Sequence, residues 1–191
     1  MIQSLRWAVL ATCASMAQAA ADPGRISDNR LDARFDLSGQ TITITRDGAR
    51  CPPACVQPIQ AAQGIATLGE LELLDFLEDA VSAGRGLLVD ARRPDGFAAA
   101  TLPGAVNVPA ETLDSANPYR DDLLAALGAR DGDDFSDAFD LAVFAGGPDD
   151  PASTMALRHL LDAGYPANKL TYYRGGMSSW MSLGLTTVTG R

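Results

Sequence analysis

The stretch DLAVFAGGPDDPASTMALRHLLDAGY, Asp140 to Tyr165, decides how the chain is read. DLAVFA is an apolar run of strand length, AGGPDDPAS is a glycine-containing loop, and Thr154 to Ala163 has helical periodicity with Gly164 as its stop. Buried strand, Gly-rich loop and helix commonly build an anion-binding site, because the start of a helix presents unpaired N–H groups. The loop holds no thiol, and its Ser153 reads as a helix cap rather than a nucleophile.

The pattern continues on both sides. GLLVD, Gly86 to Asp90, is a short apolar run ending in a polar residue, as expected of a buried parallel strand. GAVNVP, Gly104 to Pro109, gives a second strand and KLTYYRGG, Lys169 to Gly176, another, followed by a short helix in MSSWMSLG. TLGE has Thr67 and Glu70 at capping-box spacing before a helix whose apolar face is Leu71, Leu74, Leu77 and Val81, stopped by Gly84. In NPYRDDLLAALG, Asn117 is the expected cap, Pro118 the first turn and Gly128 the stop. Alternating strands and helices imply a mostly parallel sheet with helices on both faces, and such sheets place ligands at the carboxyl ends of their strands. Asp90, Arg92 and the 145–152 loop all fall at such ends.

Upstream, Arg6 precedes an apolar run from Trp7 to about Met16 and then AQA at Ala17 to Ala19. This is the pattern of a secretory signal peptide over residues 1–19, which predicts a periplasmic protein with no membrane span after cleavage. Loss of Arg6 would take the net charge from −9 to −10, with no basic patch to offset it. Nucleic acid is therefore excluded as a partner class, and anionic membrane surfaces are disfavoured. Residues 20–63 read as an extension with one alternating segment, TITITR at Thr41 to Arg46 after the turn-like SGQ, which is a hairpin or a lone strand. The main domain is expected over 64–191.

Two cysteines would remain, Cys51 and Cys55 in CPPACVQP. An oxidising compartment favours a disulfide between them. An extended Pro52–Pro53 would hold the sulfurs apart and a turn would bring them together, so the sequence leaves a structural bridge and a sulfur-carrying or redox pair both open. Two thiols are too few for structural zinc. With Met155, Met177 and Met181 they are the ligand types for soft copper, although core packing is the default role of the methionines.

LLVDARRPDGFAAATLPGAVNVPAETL, Leu87 to Leu113, and LTYYRGGMSSWMSLGLTTV, Leu170 to Val188, resemble the two flanking signatures of the rhodanese-like (sulfurtransferase) family. The resemblance covers about Thr67 to Val188 and implies the rhodanese-like α/β fold. It also implies a site at the loop after the central strand, where family members carry a cysteine that becomes a persulfide. Aligned on Gly147, Pro148 and Ser153, that position is Ala145, and Asp150 stands where some subgroups have a second cysteine. A methyl group cannot carry sulfur. Asp149 and Asp150 would further repel an anionic donor by several kcal/mol at a few ångströms. The resemblance thus implies a domain that has lost the nucleophile and serves as a binding or accessory module in sulfur or redox metabolism, with a protein partner or a small sulfur species. No cofactor and no metal are expected.

Each candidate has a plainer role. Asp90 and Arg92 can line the pocket rim or pair to fix the strand-end loop. Thr101 stands where many family members have His. Gly146 and Gly147 permit close backbone approach to a ligand, or remain as scaffold. Asp149 and Asp150 offer too few oxygens for a hard cation and read as a solvated acidic loop. His159, the only histidine, reads as a partly buried packing residue.

Overall fold

The computed structural model describes residues 23–24, 32–49, 56–130 and 134–191. Residues 1–19, with the expected signal peptide, and Cys51 and Cys55 lie outside the described residues.

The extension contains a small antiparallel sheet of β1 (Pro23–Gly24), β2 (Asp32–Leu37) and β3 (Gln40–Ala49), in the order β1-β3-β2. Ser38 and Gly39 both have positive φ, 51° and 80°, the turn geometry that matches the twist of a two-residue hairpin. TITITR is therefore one arm of a hairpin. Its register sets Phe35 opposite Ile42 and Ala33 opposite Ile44, while Asp36 accepts from Thr41 Oγ1 on the other face.

The main sheet comprises β4 (Ala66–Leu68), β5 (Gly86–Asp90), β6 (Ala105–Asn107), β7 (Asp140–Phe144) and β8 (Leu170–Tyr173). The strands are all parallel, in the order β4-β8-β7-β5-β6. The helices are α1 (Glu70–Phe76), which runs into a π-turn at Leu77–Val81, α2 (Pro94–Ala99), α3 (Arg120–Ala126), α4 (Ala152–Asp162) and α5 (Gly176–Ser182). Strand periodicity divides the core. Leu141 and Val143 of β7 join Leu124 of α3 and Leu157 and Leu160 of α4 on one face. Ala142 and Phe144 join Leu73 of α1 and Met177 and Trp180 of α5 on the other. A central strand covered on both faces must be apolar throughout, which is why DLAVFA shows no alternation.

Several local expectations are corrected. Thr67 lies in β4 and donates to Ile59 O, and the reciprocal capping contact shifts by two residues, with Gly69 N–H donating to Glu72 Oε2 at 3.0 Å. The buried face of α1 carries Leu73, which joins Leu88, Ala142, Phe144 and Tyr173 of the sheet, whereas Leu71 is 74% exposed. Asn117 accepts from Tyr119 N–H in the turn before α3, and Tyr119 is the capping position. Gly84, Gly128 and Gly164 have positive φ, the conformation that terminates helices. Gln57 and Ala61, upstream of residue 64, are buried against the domain.

Candidate functional site

β7 delivers the 145–152 loop at the carboxyl edge of the sheet, between the ends of β5 and β8. Ala145 is buried at 1% exposure. The start of α5 clamps the first turn of the loop: Met177 N–H donates to Ala145 O at 3.0 Å and Ser178 N–H to Gly146 O at 2.9 Å. A Cβ on Gly176, whose φ is +55°, would collide with Ala145 O, and one on Gly147 with Ser178 Oγ. Gly176 is needed for backbone-to-backbone packing, and Gly147 for the close approach of the Ser178 side chain.

The two loop aspartates behave differently. Asp149 is exposed. Asp150 folds back into the loop, its Oδ2 accepting from Gly146 N–H and its Oδ1 from Ala152 N–H, each at 2.9 Å. The expectation of a solvated acidic pair is thus corrected for Asp150, whose carboxylate is engaged by one backbone donor early in the loop and one at the start of α4. Ser153 does not cap that helix; it lies within α4 and is buried.

The chain just before the domain closes the far side of the loop. Gln57 N–H donates to Pro148 O at 2.6 Å and its Oε1 accepts from Thr154 Oγ1 at 2.9 Å. Arg174, at the end of β8, donates to Gln57 O and Pro58 O at 3.1 and 3.2 Å. Tyr172, on the same side of β8 two residues earlier, is fully buried and its hydroxyl has no hydrogen-bond partner among the described residues. Burial raises the Tyr172 phenol above its usual value, and the neighbouring Ser153 hydroxyl and Arg174 charge oppose that rise.

At the end of β5, Asp90 is completely buried and paired with Arg92, with contacts of 2.9 Å from Nε to Oδ1 and 2.6 Å from Nη2 to Oδ2. Thr101 Oγ1 donates to Asp90 Oδ2 at 2.8 Å, and Asn107 Nδ2 donates to the carbonyls of Asp90 and Arg92. The pair fixes the strand-end loop, and the Arg92 charge is spent on Asp90. Beside it opens a cleft of about 350 Å³, with Arg92, Arg93, Asp95 and Glu111 on one side and Asp150 and Met155 on the other. Arg92 and Asp150, both nominated from sequence, thus border one cleft, and Asp90 is joined to it through its pair with Arg92.

His159 is remote from this rim, with Nε2 3.9 Å from Asp114 Oδ2. Met177 is buried in the core, but Met155 and Met181 are 38% and 54% exposed, a correction to core packing for all three. Sequence reading missed Gln57, Tyr172, Arg174 and Gly176. The i, i+2 spacing of Tyr172 and Arg174 in YYRGG was a usable signal, whereas nothing local marks Gln57 as a partner of residue 154.

Comparison with known proteins follows these features. The family model for the rhodanese-like domain matches residues 72–183. No curated protein is significantly similar to the chain. Among solved structures, a thiosulfate sulfurtransferase from Pseudomonas aeruginosa is 24% identical, with 66% of this chain covering 21% of that one at a TM-score of 0.47. A human single-domain sulfurtransferase is 26% identical over 63% of this chain and 97% of its own, with a TM-score of 0.44. A protein from Bacillus halodurans is 14% identical over 64% and 76%, with a TM-score of 0.50. The chain spans only about a fifth of the Pseudomonas protein's length. With the family model covering more than half of its residues, and a five-stranded parallel sheet presenting a loop after its central strand, the chain belongs to the rhodanese-like domain family.

Proposed function

We propose that this is an exported rhodanese-like protein without persulfide chemistry at its loop, serving as a binding or accessory module in sulfur or redox metabolism of the periplasm. The observation that carries this reading is the state of the loop: a buried methyl at Ala145 and a carboxylate, Asp150, on the loop's own N–H groups. Sulfur transfer needs a thiolate to attack the outer sulfur of thiosulfate and expel sulfite, after which cyanide takes that sulfur and restores the thiolate. Ala145 supplies no electron pair for the first step. The test is thiocyanate release by the mature protein with thiosulfate and cyanide. The expected result is the uncatalysed rate; turnover that survives Cys51→Ser and Cys55→Ser would overturn the reading. Recovery of the protein from periplasm with its N-terminus near residue 20 is the matching expectation for export.

A second reading, a sulfur carrier based on Cys51 and Cys55, is favoured by one contact. Gln57, two residues after Cys55 in sequence, is hydrogen-bonded to Pro148 of the loop. Intact mass after incubation with polysulfide separates the two: a reducible sulfur adduct on either cysteine supports the carrier, and cysteines that resist alkylation and gain no sulfur support the silent domain.

A further inference from the structure

We infer that the outer edge of β2, in the extension, is a self-association surface: a second copy of this chain adds its own β2 antiparallel to it, with Arg34 of each copy opposite Asp36 of the other and the two Phe35 side chains facing at the axis. The contact lies in the extension and is independent of whether the 145–152 loop carries sulfur.

The edge is open and unguarded. Among the described residues β2 pairs with β3 alone, at the side of the small sheet. In a hairpin with a two-residue turn the residues flanking the turn exchange both backbone bonds, and the pattern alternates from there. Leu37, Phe35 and Ala33 therefore turn their N–H and C=O groups towards β3, while Arg34 and Asp36 turn theirs outward. Neither Arg34 nor Asp36 makes a backbone bond outside the hairpin among the described residues. Lysine, proline or a bulge is the usual protection of such an edge. DARFDL has neither lysine nor proline, and its ladder with β3 is regular from Asp32 to Leu37. A two-stranded hairpin is marginal in water, and β1 adds only Pro23 and Gly24 to this one. Joining two β2 edges would make one continuous sheet, β3-β2-β2-β3.

The side chains select a second copy as the occupant. One face of the hairpin is apolar, with Ala33, Phe35 and Leu37 on β2 beside Ile42 and Ile44 on β3, and Phe35, Leu37 and Ile44 are exposed. Two antiparallel registers align the outward backbone groups of two β2 strands and keep most of the strand paired. A register centred on Arg34 sets Arg34 against Arg34 and Asp32 against Asp36, like charges directly opposite, which destabilises it. A register centred on Phe35 sets Arg34 against Asp36 at both symmetric places and Ala33 against Leu37. Only the second is complementary in charge, and it has the two-fold symmetry of a closed dimer. It also puts Phe35 at a non-hydrogen-bonded position, where facing side chains approach most closely. Arg34 engages Asp32 through Nε and Nη2, and Asp36 engages Thr41 through Oδ1. Arg34 Nη1 and Asp36 Oδ2 are thus left for the pair between copies.

The test is sedimentation velocity of the mature chain over a concentration series, for wild type, Arg34→Asp, Asp36→Arg and an equimolar mixture of the two variants. Wild type is expected to pass from monomer to dimer as concentration rises, and added salt to oppose it. Each variant alone puts like charges at both places and is expected to weaken the dimer by about tenfold or more. In the mixture an Arg34→Asp chain meets an Asp36→Arg chain with opposite charges at both places, so a heterodimer of about wild-type affinity is expected. Both side chains are exposed, so the changes leave the fold of the monomer in place. A wild type that stays monomeric at every concentration, a dimer indifferent to both changes, or a mixture no tighter than its components would each overturn the assignment. Hydrogen exchange gives a second readout: amides of Arg34 and Asp36 that become protected only as concentration rises support it, and protection already complete in the monomer would show the edge covered by the chain's own residues and refute it. Neither readout involves sulfur transfer, so thiocyanate release by the wild type would sink the proposed function and leave this result to be judged separately.

Discussion

Gly176 stands against the carbonyl of Ala145 so closely that its α-carbon has no room for a side chain. The positive φ of +55° adds a second demand for glycine. Gly176→Ala is expected to lower stability by about 2–3 kcal/mol, the sum of a left-handed backbone and a forced separation of α5 from the loop. An unchanged urea midpoint would show that the loop tolerates displacement.

Restoring the thiol is expected to be insufficient. Ala145→Cys alone should give little sulfur transfer from thiosulfate to cyanide, because Asp150 still occupies the loop donors. Ala145→Cys with Asp150→Ala should exceed it by about tenfold or more, the usual scale for oxyanion donors made available. Strong activity from the single change, measured as thiocyanate release, would contradict this ordering.

The Asp90–Arg92 pair gives a stability prediction. Arg92→Met leaves a fully buried carboxylate with only Thr101 and the Arg92 backbone N–H as donors, and should cost about 3 kcal/mol or more. Arg92→Lys should recover only part of this, since an ammonium cannot reproduce the fork that engages both oxygens. Equal urea midpoints for wild type and Arg92→Met would show the pair to be energetically neutral.

Strand positions, the α/β class and the loop were legible because a buried parallel strand is written in consecutive apolar residues, as in DLAVFA and GLLVD. The rotation of α1 was not, since Leu71 and Leu73 are equally apolar and only docking against the sheet selects Leu73. The fate of Asp150 was hidden for a related reason. A carboxylate beside glycines reads as repulsive or solvated until the backbone N–H vectors are known, and Asp149 with the same chemistry does point to solvent. Gln57 was invisible because its partners lie 97 and 117 residues away.

Alkaline pH offers a further check on the core. Burial raises the phenols of Tyr165, Tyr172 and Tyr173 above their usual value, and the Glu70 carboxylate beside Tyr173 adds to the rise there. The unfolded chain therefore releases these protons first. Stability tied to the three phenols is fully present below about pH 10 and is lost as pH climbs from there towards the folded values. Phenolate absorbance should rise together with loss of the circular dichroism signal. Ionisation of these phenols well before unfolding would show them to be solvated.

The bonds around the loop join distant parts of the chain: Gln57 to Pro148, Gln57 to Thr154 and Gln57 to Arg174, the last pair 117 residues apart. Contacts of such separation carry the largest loop-closure entropy and form late. A partly folded molecule with β5 and β7 already paired would lack Arg174 and α5 against the loop, so its residues 145–150 would be open to solvent. Completion of this rim is therefore expected late in folding, and protease resistance of the 145–152 segment should be among the last properties a refolding molecule acquires.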